Sequence, residues 1–119
     1  MKAKITEVKK PWGREFIWAK TKDYVGKILE VKKGESLSLQ YHKVKEETMI
    51  CETGACRLFI GKDERDLTCI ELRSGDAIHI APMVRHRLEA ITDCRLFEVS
   101  TPHLDDVVRL EDRYGRAPQ

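Results

Sequence analysis

Turn-forming residues divide this chain into short segments, roughly ten residues apart, and few of these segments have helical periodicity. The turns include Thr53-Gly54 and Ser74-Gly75-Asp76. Many short strands at this spacing are typical of an antiparallel sandwich or a small barrel. We therefore predict an all-β domain with strands at residues 15–19, 24–31, 36–42, 48–52, 55–61, 67–72, 77–81, 86–91 and 95–100.

The length of 119 residues suits one domain, residues 1–119, with a single hydrophobic core. We expect the barrel to occupy about residues 14–100 and a tail to occupy residues 101–119. Residues 105–113 are the one segment with a helical pattern, because two aspartates precede apolar residues that they could cap. The tail is therefore predicted to contain a short helix.

A candidate metal site lies within residues 34–54 and extends to a later histidine. Gln40 and His42 are two residues apart, so on a strand their side chains share a face. Glu47 follows a polar stretch that can turn the chain, and His86 is a fourth candidate. Nitrogen and oxygen ligands of these types suit Zn, Mn, Fe(II), Co or Ni. The alternative interpretation is a buried hydrogen-bonded cluster without a metal.

The strand predicted at residues 36–42 has one polar face and one apolar face. A polar interior face indicates a barrel whose lumen binds a ligand. We expect the apolar face to be covered by the N-terminal strand or by a second subunit, which favours a homodimer. The polar residues are Ser36, Ser38, Gln40 and His42, and the apolar ones are Leu37, Leu39 and Tyr41.

Charge and hydropathy argue against several classes of partner. The 22 basic residues nearly cancel the 20 acidic ones, and no basic block has interleaved aromatics, so we expect no nucleic acid partner. No apolar run reaches the roughly 18 residues of a membrane span. The N-terminal residues lack the apolar stretch of a signal peptide, so we expect a cytoplasmic protein. Cys51 and Cys56 have no second close cysteine pair, which favours reduced, buried thiols over a cysteine zinc site.

The spacing G-x5-Q-x-H-x4-E-x6-G, followed by the segment from Gly75 to His86, is similar to the two-part signature of the cupin superfamily. The Gln/His/Glu/His set resembles that of phosphomannose isomerases. Lys10-Pro11-Trp12-Gly13 and the tail from Arg109 to Arg116 resemble the isomerase domain of bifunctional mannose-6-phosphate isomerase/mannose-1-phosphate guanylyltransferases. This resemblance implies a double-stranded β-helix, or jelly-roll barrel, that holds a divalent metal near its centre, with zinc the first candidate.

The chain departs from the family pattern in several places. Met83 stands where the second motif has a glycine, so we expect the loop before His86 to bend differently. Tyr41, Lys43 and Val44 occupy positions that often form a histidine cluster in the related domains. The glycine-rich nucleotide loop of the guanylyltransferase half does not occur in these residues, so we expect no nucleotidyl transfer.

The resemblance implies aldose–ketose isomerisation of a sugar phosphate through an enediol, at a metal that polarises the substrate oxygens. Three residues are catalytic candidates. Lys27 is expected to reach a substrate oxygen or phosphate, although a solvated edge lysine is the alternative. Glu98 interrupts an otherwise apolar strand and is either a proton shuttle or the partner of an arginine. Arg113 offers a guanidinium fork for a phosphate.

Two other functions remain open at this point. One is a non-catalytic cupin that binds a sugar or another small polar ligand. The other is an Fe(II)-dependent oxygenase, because one fold hosts many reactions. The glutamine ligand and the isomerase-like tail argue against the oxygenase.

Overall fold

Two antiparallel sheets face each other in the structure, a computed structural model that describes residues 1–118. The six-stranded sheet has the order β1-β2-β3-β10-β5-β8, and the five-stranded sheet has the order β11-β4-β9-β6-β7. This arrangement confirms the predicted all-β double-stranded β-helix. The strands are β1 (Thr6–Lys10), β2 (Gly13–Lys20), β3 (Val25–Val31), β4 (Leu39–Tyr41), β5 (Glu47–Thr53), β6 (Ala55–Asp63), β7 (Asp66–Arg73), β8 (Ala77–Ile80), β9 (Arg85–Ala90), β10 (Cys94–Ser100) and β11 (Val108–Glu111).

Each of the nine predicted strands corresponds to one of β2 to β10, but strand β1 was not predicted. Strand β1 forms a hairpin with β2 in which Lys10 and Gly13 are register partners. Its residues are mostly charged and exposed, which is why the sequence carries little strand signal there. Trp12 in the hairpin turn is only 3% exposed and belongs to the core.

The predicted C-terminal helix is wrong, and no helix occurs among residues 1–118. Residues 108–111 instead form β11, which pairs with the three-residue strand β4. Without β11, strand β4 would present an unpaired edge. The carboxylate of Asp106 accepts hydrogen bonds from the backbone N–H groups of Lys43, Val44 and Lys45, at 3.0, 2.7 and 2.8 Å. This aspartate therefore caps a loop rather than a helix.

The described residues contain no helix long and apolar enough to cross a membrane.

The strand predicted at residues 36–42 is shorter than expected, and its two faces are not as predicted. Ser36 forms a single bridge with Glu89, and regular pairing resumes only at Leu39. Because the ladder is interrupted, Leu37 as well as Ser38 lines the interior cavity, so the expected outward direction of Leu37 is wrong. The outer face of β4 is not covered by β1, which lies at the edge of the other sheet. Instead the guanidinium of Arg85 stacks 3.9 Å from the centroid of the Tyr41 ring.

The barrel interior is divided into a polar end and an apolar end. On three strands the buried residues are polar at one end and apolar at the other, and the register aligns the polar ends of β5 and β10. The apolar end therefore supplies the core, while the polar end leaves room for a site. The buried residues in question are Ser100, Glu98, Leu96 and Cys94 on β10, Glu47, Met49 and Cys51 on β5, and His86, Leu88 and Ala90 on β9.

The loop before His86 retains a backbone conformation that glycine favours. Met83 has φ = 71°, in the left-handed region, and is the one non-glycine residue with positive φ among those described. Its N–H donates a hydrogen bond to the carbonyl of His42 at 2.7 Å, so the loop is tied to the end of β4. The methionine side chain is 48% exposed and contributes little to packing.

We predict that Met83→Gly raises the free energy of unfolding by about 1 kcal/mol, because the left-handed conformation strains a residue with a Cβ. Urea unfolding of the metal-free protein measures the change. Met83→Ala is the matched control, because alanine meets the same strain and should give no gain. Equal effects of the two substitutions would contradict the backbone explanation.

Candidate metal centre

The four predicted ligands lie at the polar end of the barrel. Gln40 on β4 and His86 on β9 are register partners, His42 follows β4 by one residue, and Glu47 begins β5 on the opposite sheet. His42, Glu47 and His86 are each no more than 5% exposed. One ligand atom from each of these three lies within 4.8 Å of the others, and Gln40 lines the same cavity. The fold therefore brings residues from both sheets together.

The two histidines are oriented by backbone carbonyl groups. His42 Nδ1 lies 2.5 Å from the carbonyl oxygen of Asp106, and His86 Nδ1 lies 3.0 Å from that of Val84. A carbonyl oxygen only accepts, so each Nδ1 carries the hydrogen and a neutral ring keeps its lone pair on Nε2. Metal-binding histidines are commonly fixed in this way by a hydrogen bond at the other ring nitrogen.

Both Nε2 atoms face the same carboxylate oxygen. Glu47 Oε1 lies 3.3 Å from His86 Nε2 and 3.6 Å from His42 Nε2. Two lone pairs directed at a carboxylate oxygen repel it unless a cation lies among them. Burial opposes the charge on Glu47, but when the Nε2 atoms of His42 and His86 carry hydrogens instead, their hydrogen bonds and the charge of Lys45 hold its pKa well below the usual range. The donor set therefore fits a divalent metal ion of the zinc or manganese type.

The candidate metal ligands line a cavity of about 310 Å³, which is the size of a small-molecule site. Both sheets and the C-terminal tail contribute to its walls. Besides Trp12 and aliphatic side chains, it is lined by Lys10, Glu15, Lys27, Ser38, Gln40, His42, Lys45, Glu47, His86, Glu98, Asp105, Arg109 and Arg116.

Two of the three catalytic candidates lie in this cavity. Lys27 and Glu98 are register partners on β3 and β10. The ammonium of Lys27 lies 3.0 Å from Glu15 Oε2, and that of Lys10 lies 3.2 Å from Glu15 Oε1. Burial raises the pKa of Glu15, but the two lysines outweigh it and the pKa is lowered. Lys27 is thus placed in the cavity wall rather than at a solvated edge.

A buried lysine connects Glu98 to the candidate metal ligand Glu47. This lysine was not predicted from the sequence. Lys45 is 5% exposed, and its ammonium lies 3.1 Å from Glu47 Oε2 and 3.3 Å from Glu98 Oε2. Burial lowers the pKa of Lys45, but the two carboxylates outweigh this and raise it. Burial and the charge of Glu47 raise the pKa of Glu98 to about 7, against the opposing effect of Lys45 and Lys27. The available signal was spacing, because Lys45 precedes Glu47 by two residues and so shares its face in an extended segment.

The third catalytic candidate, Arg113, lies outside the cavity. It is exposed, and its guanidinium donates to the carbonyl of Gly34 at 2.6 Å and lies 3.5 Å from Glu89. The arginines that line the cavity are Arg109 and Arg116. Both belong to the tail motif, but only the strand geometry of the tail reveals which arginines face inward.

The two-sheet barrel and its interior ligand set define a cupin. Solved structures with the same fold include a variant of the oxalate decarboxylase of Bacillus subtilis, with a TM-score of 0.78, 17% identity, and coverage of 96% of this chain and 32% of that chain. Another is the capsular polysaccharide assembling protein CapF of Staphylococcus aureus, with a TM-score of 0.75, 16% identity, and coverage of 92% and 35%. At these identities the comparison establishes the fold alone.

Residues 1–112 match the family described as mannose-6-phosphate isomerase C-terminal, and the chain belongs to this family. It is 36% identical over 115 residues to the mannose-1-phosphate guanylyltransferase ManC of Salmonella typhimurium LT2. It is 35% identical over 115 residues to the mannose-1-phosphate guanylyltransferase of Escherichia coli K12. Each alignment covers 92% of this chain and 23% of the relative. The resemblance predicted from the motifs is confirmed.

We predict that His86→Ala weakens Zn²⁺ affinity by about a hundredfold or more, because loss of an outer-shell partner alone costs about 10- to 100-fold. Competition with a chelating dye measures the dissociation constant. His79→Ala is the matched control, because this exposed histidine pairs with Glu46 and lies outside the cavity. Unchanged affinity in the His86 variant would refute the assigned site.

Proposed function

We propose that this protein is a metal-dependent sugar-phosphate isomerase of the mannose-6-phosphate isomerase type. The main observation in its support is that two histidine Nε2 atoms and the Glu47 carboxylate converge inside a polar cavity of small-molecule size. Membership of the mannose-6-phosphate isomerase C-terminal family supports the substrate class. The chain spans about a quarter of the guanylyltransferases that it matches, so their nucleotidyl transfer does not enter this proposal.

In this proposal Gln40, His42, Glu47 and His86 hold the divalent ion, with Zn first and Mn, Fe, Co or Ni as alternatives. When bound, such an ion polarises the carbonyl and hydroxyl oxygens of a substrate and stabilises the negative charge of an enediolate. The chain's own contribution is to fix the ligand orientation through the Asp106 and Val84 carbonyls and to enclose the substrate.

Isomerisation moves a proton between two neighbouring carbons, and Glu98 is placed to carry it. Its side chain is 6% exposed and lies in the cavity wall beside Lys45, which also contacts Glu47. The carboxylate accepts the proton from the carbon next to the carbonyl and returns it to the adjacent carbon, while the hydroxyl proton passes between the two oxygens. Lys45 favours the ionised form of this carboxylate against the opposing effect of burial, and Lys27 orients a substrate oxygen.

We predict that the metal-loaded protein converts mannose-6-phosphate to fructose-6-phosphate and that Glu98→Gln lowers kcat by about a hundredfold, the lower range for a general base. A coupled spectrophotometric assay with Zn, Mn, Co or Ni measures turnover. Glu71→Gln, on an exposed position of β7, is the control and should leave kcat unchanged. Absence of turnover in every metal-loaded form would sink the isomerase proposal.

A second candidate function is binding of a sugar phosphate without turnover. The observation that favours it is the mutual pairing of cavity groups, in which Lys45 bridges Glu47 and Glu98 while Glu15 takes two lysines. Groups held this way resist proton transfer more than solvated ones do. A ligand-induced rise in Tm without turnover would support this candidate over the isomerase.

A homodimer is part of the proposal, with the outer face of the six-stranded sheet as the interface. Phe16, Ile28, Phe97 and Ile50 are successive register neighbours across four strands. Phe97 and Ile50 are 38% and 39% exposed, and the adjacent Val99 is 55% exposed. Phe16 and Ile28 are partly exposed, and a contiguous apolar row of this kind is typical of an association surface. The pairs Arg14–Glu30 and Arg95–Glu52 border it.

We predict that Phe97→Glu converts a dimer to a monomer, because a carboxylate at the centre of the apolar row would be desolvated without a partner. Light scattering coupled to size-exclusion chromatography measures the mass. Ile70→Glu is the matched control, because Ile70 is similarly exposed on β7 of the other sheet. A monomeric unsubstituted protein at micromolar concentration would exclude this interface.

A cytoplasmic location completes the proposal. Cys51, Cys56 and Cys94 are buried free thiols, and Cys69 is an exposed one, as suits a reducing compartment. Thiol titration of the protein purified without reductant checks this, since all four cysteines should react once the chain is unfolded.

A further inference from the structure

Strand β11 brings an arginine into line with two of the metal ligands. Arg109 is the register partner of Gln40, and Gln40 is the register partner of His86. All three residues line the cavity, so they form one row across β11, β4 and β9. Paired strands lie about 5 Å apart. The backbone of Arg109 therefore lies one strand from Gln40 and two strands, about 10 Å, from His86.

Arg109 differs from the other arginines in its lack of a carboxylate partner. Within residues 1–118, each of the other arginines has a carboxylate oxygen within 4.0 Å, and Arg109 has none. Its Nε is buried and has no hydrogen-bond partner in the described part of the chain. A buried guanidinium N–H without an acceptor is unfavourable, so an anion bound in the cavity would stabilise this group.

The other cations of the cavity wall are already paired. Lys45 contacts Glu47 and Glu98, and Arg116 is held by Asp112 at 2.8 and 3.0 Å. Lys10 and Lys27 share the single carboxylate of Glu15. Asp105 also lines the cavity but lies beyond 4.0 Å from Arg109, since no ion pair joins them.

We propose that Arg109 is the residue that binds the phosphate group of the substrate. Its planar fork matches two oxygens of a phosphate monoester, and without a carboxylate partner its charge favours a dianion over a singly charged carboxylate. The reacting carbons then lie at the Gln40–His86 end of the row and the phosphate at the β11 end. This inference rests on the proposed function for the nature of the ligand, but not on turnover.

The test uses calorimetry to measure how tightly the Zn-loaded protein binds mannose-6-phosphate, mannose and mannuronate. We expect Arg109→Gln to weaken mannose-6-phosphate binding by about 10- to 100-fold, the value of a charge-assisted hydrogen bond, and to leave mannose binding unchanged. Arg109→Lys, which keeps the charge but not the fork, should lose less. Arg57→Gln is the matched control, because Arg57 is half exposed, pairs with Glu89 and lies outside the cavity.

Several outcomes overturn the inference. These are unchanged mannose-6-phosphate affinity in Arg109→Gln, equal weakening for mannose, a stronger effect on mannuronate than on the phosphate, or no phosphate selectivity in the unsubstituted protein. Thermal unfolding checks that the variants fold, and Arg109 makes no side-chain ion pair within residues 1–118 whose loss would destabilise them. Phosphate-selective binding without turnover would refute the isomerase proposal but support Arg109 as the phosphate-binding residue. Turnover with an unchanged KM in Arg109→Gln would support the isomerase proposal and refute this role of Arg109.

Discussion

The contact between Asp106 and the loop at residues 43–45 is the interaction on which the rest of the site depends. The carboxylate takes three backbone N–H groups that otherwise lack partners, and these hydrogen bonds lower the pKa of Asp106 to about 2. The carbonyl of the same residue holds the imidazole of His42. One residue of the tail therefore fixes the loop that carries Lys45, sets the tautomer of a ligand and begins the segment that leads to Arg109.

Buried charge is the second organising feature of the cavity. Glu15, Lys45, Glu47 and Glu98 are all at most 6% exposed, and each is stabilised by an oppositely charged neighbour. Removing one partner of such a set leaves an uncompensated buried charge, which typically costs about 3–5 kcal/mol. The apolar half of the barrel, from Cys51 and Leu58 to Leu96, offsets this cost by packing a dry core. The fold tolerates the site because the polar residues are confined to one end.

Most of the fold and the convergence of the candidate metal ligands were predictable because both depend on local spacing. Alternation and turn residues located nine strands, and the two-residue separation of Gln40 and His42 placed them on one face. Lys45 was missed because a polar stretch between two strands was interpreted only as a turn. The tail was misread because Val107, Val108 and Leu110 fit a helix as well as a strand, and the need of β4 for a partner is not visible locally. In a strand, Arg109 faces the cavity, whereas Arg113 lies beyond the last pairing residue.

The pairing of β11 with β4 also has a consequence for the order in which the molecule is assembled. The cavity wall draws on residues from Lys10 to Arg116, so it spans nearly the whole described sequence. During synthesis the two sheets can begin to form as soon as β10 has emerged. The hydrogen bond that orients His42 forms only after Asp106 has been synthesised. Contacts of such large sequence separation form slowly, since the loop entropy is lost before they gain anything. During synthesis the hydrophobic half can therefore pack before the tail orients the candidate metal ligands.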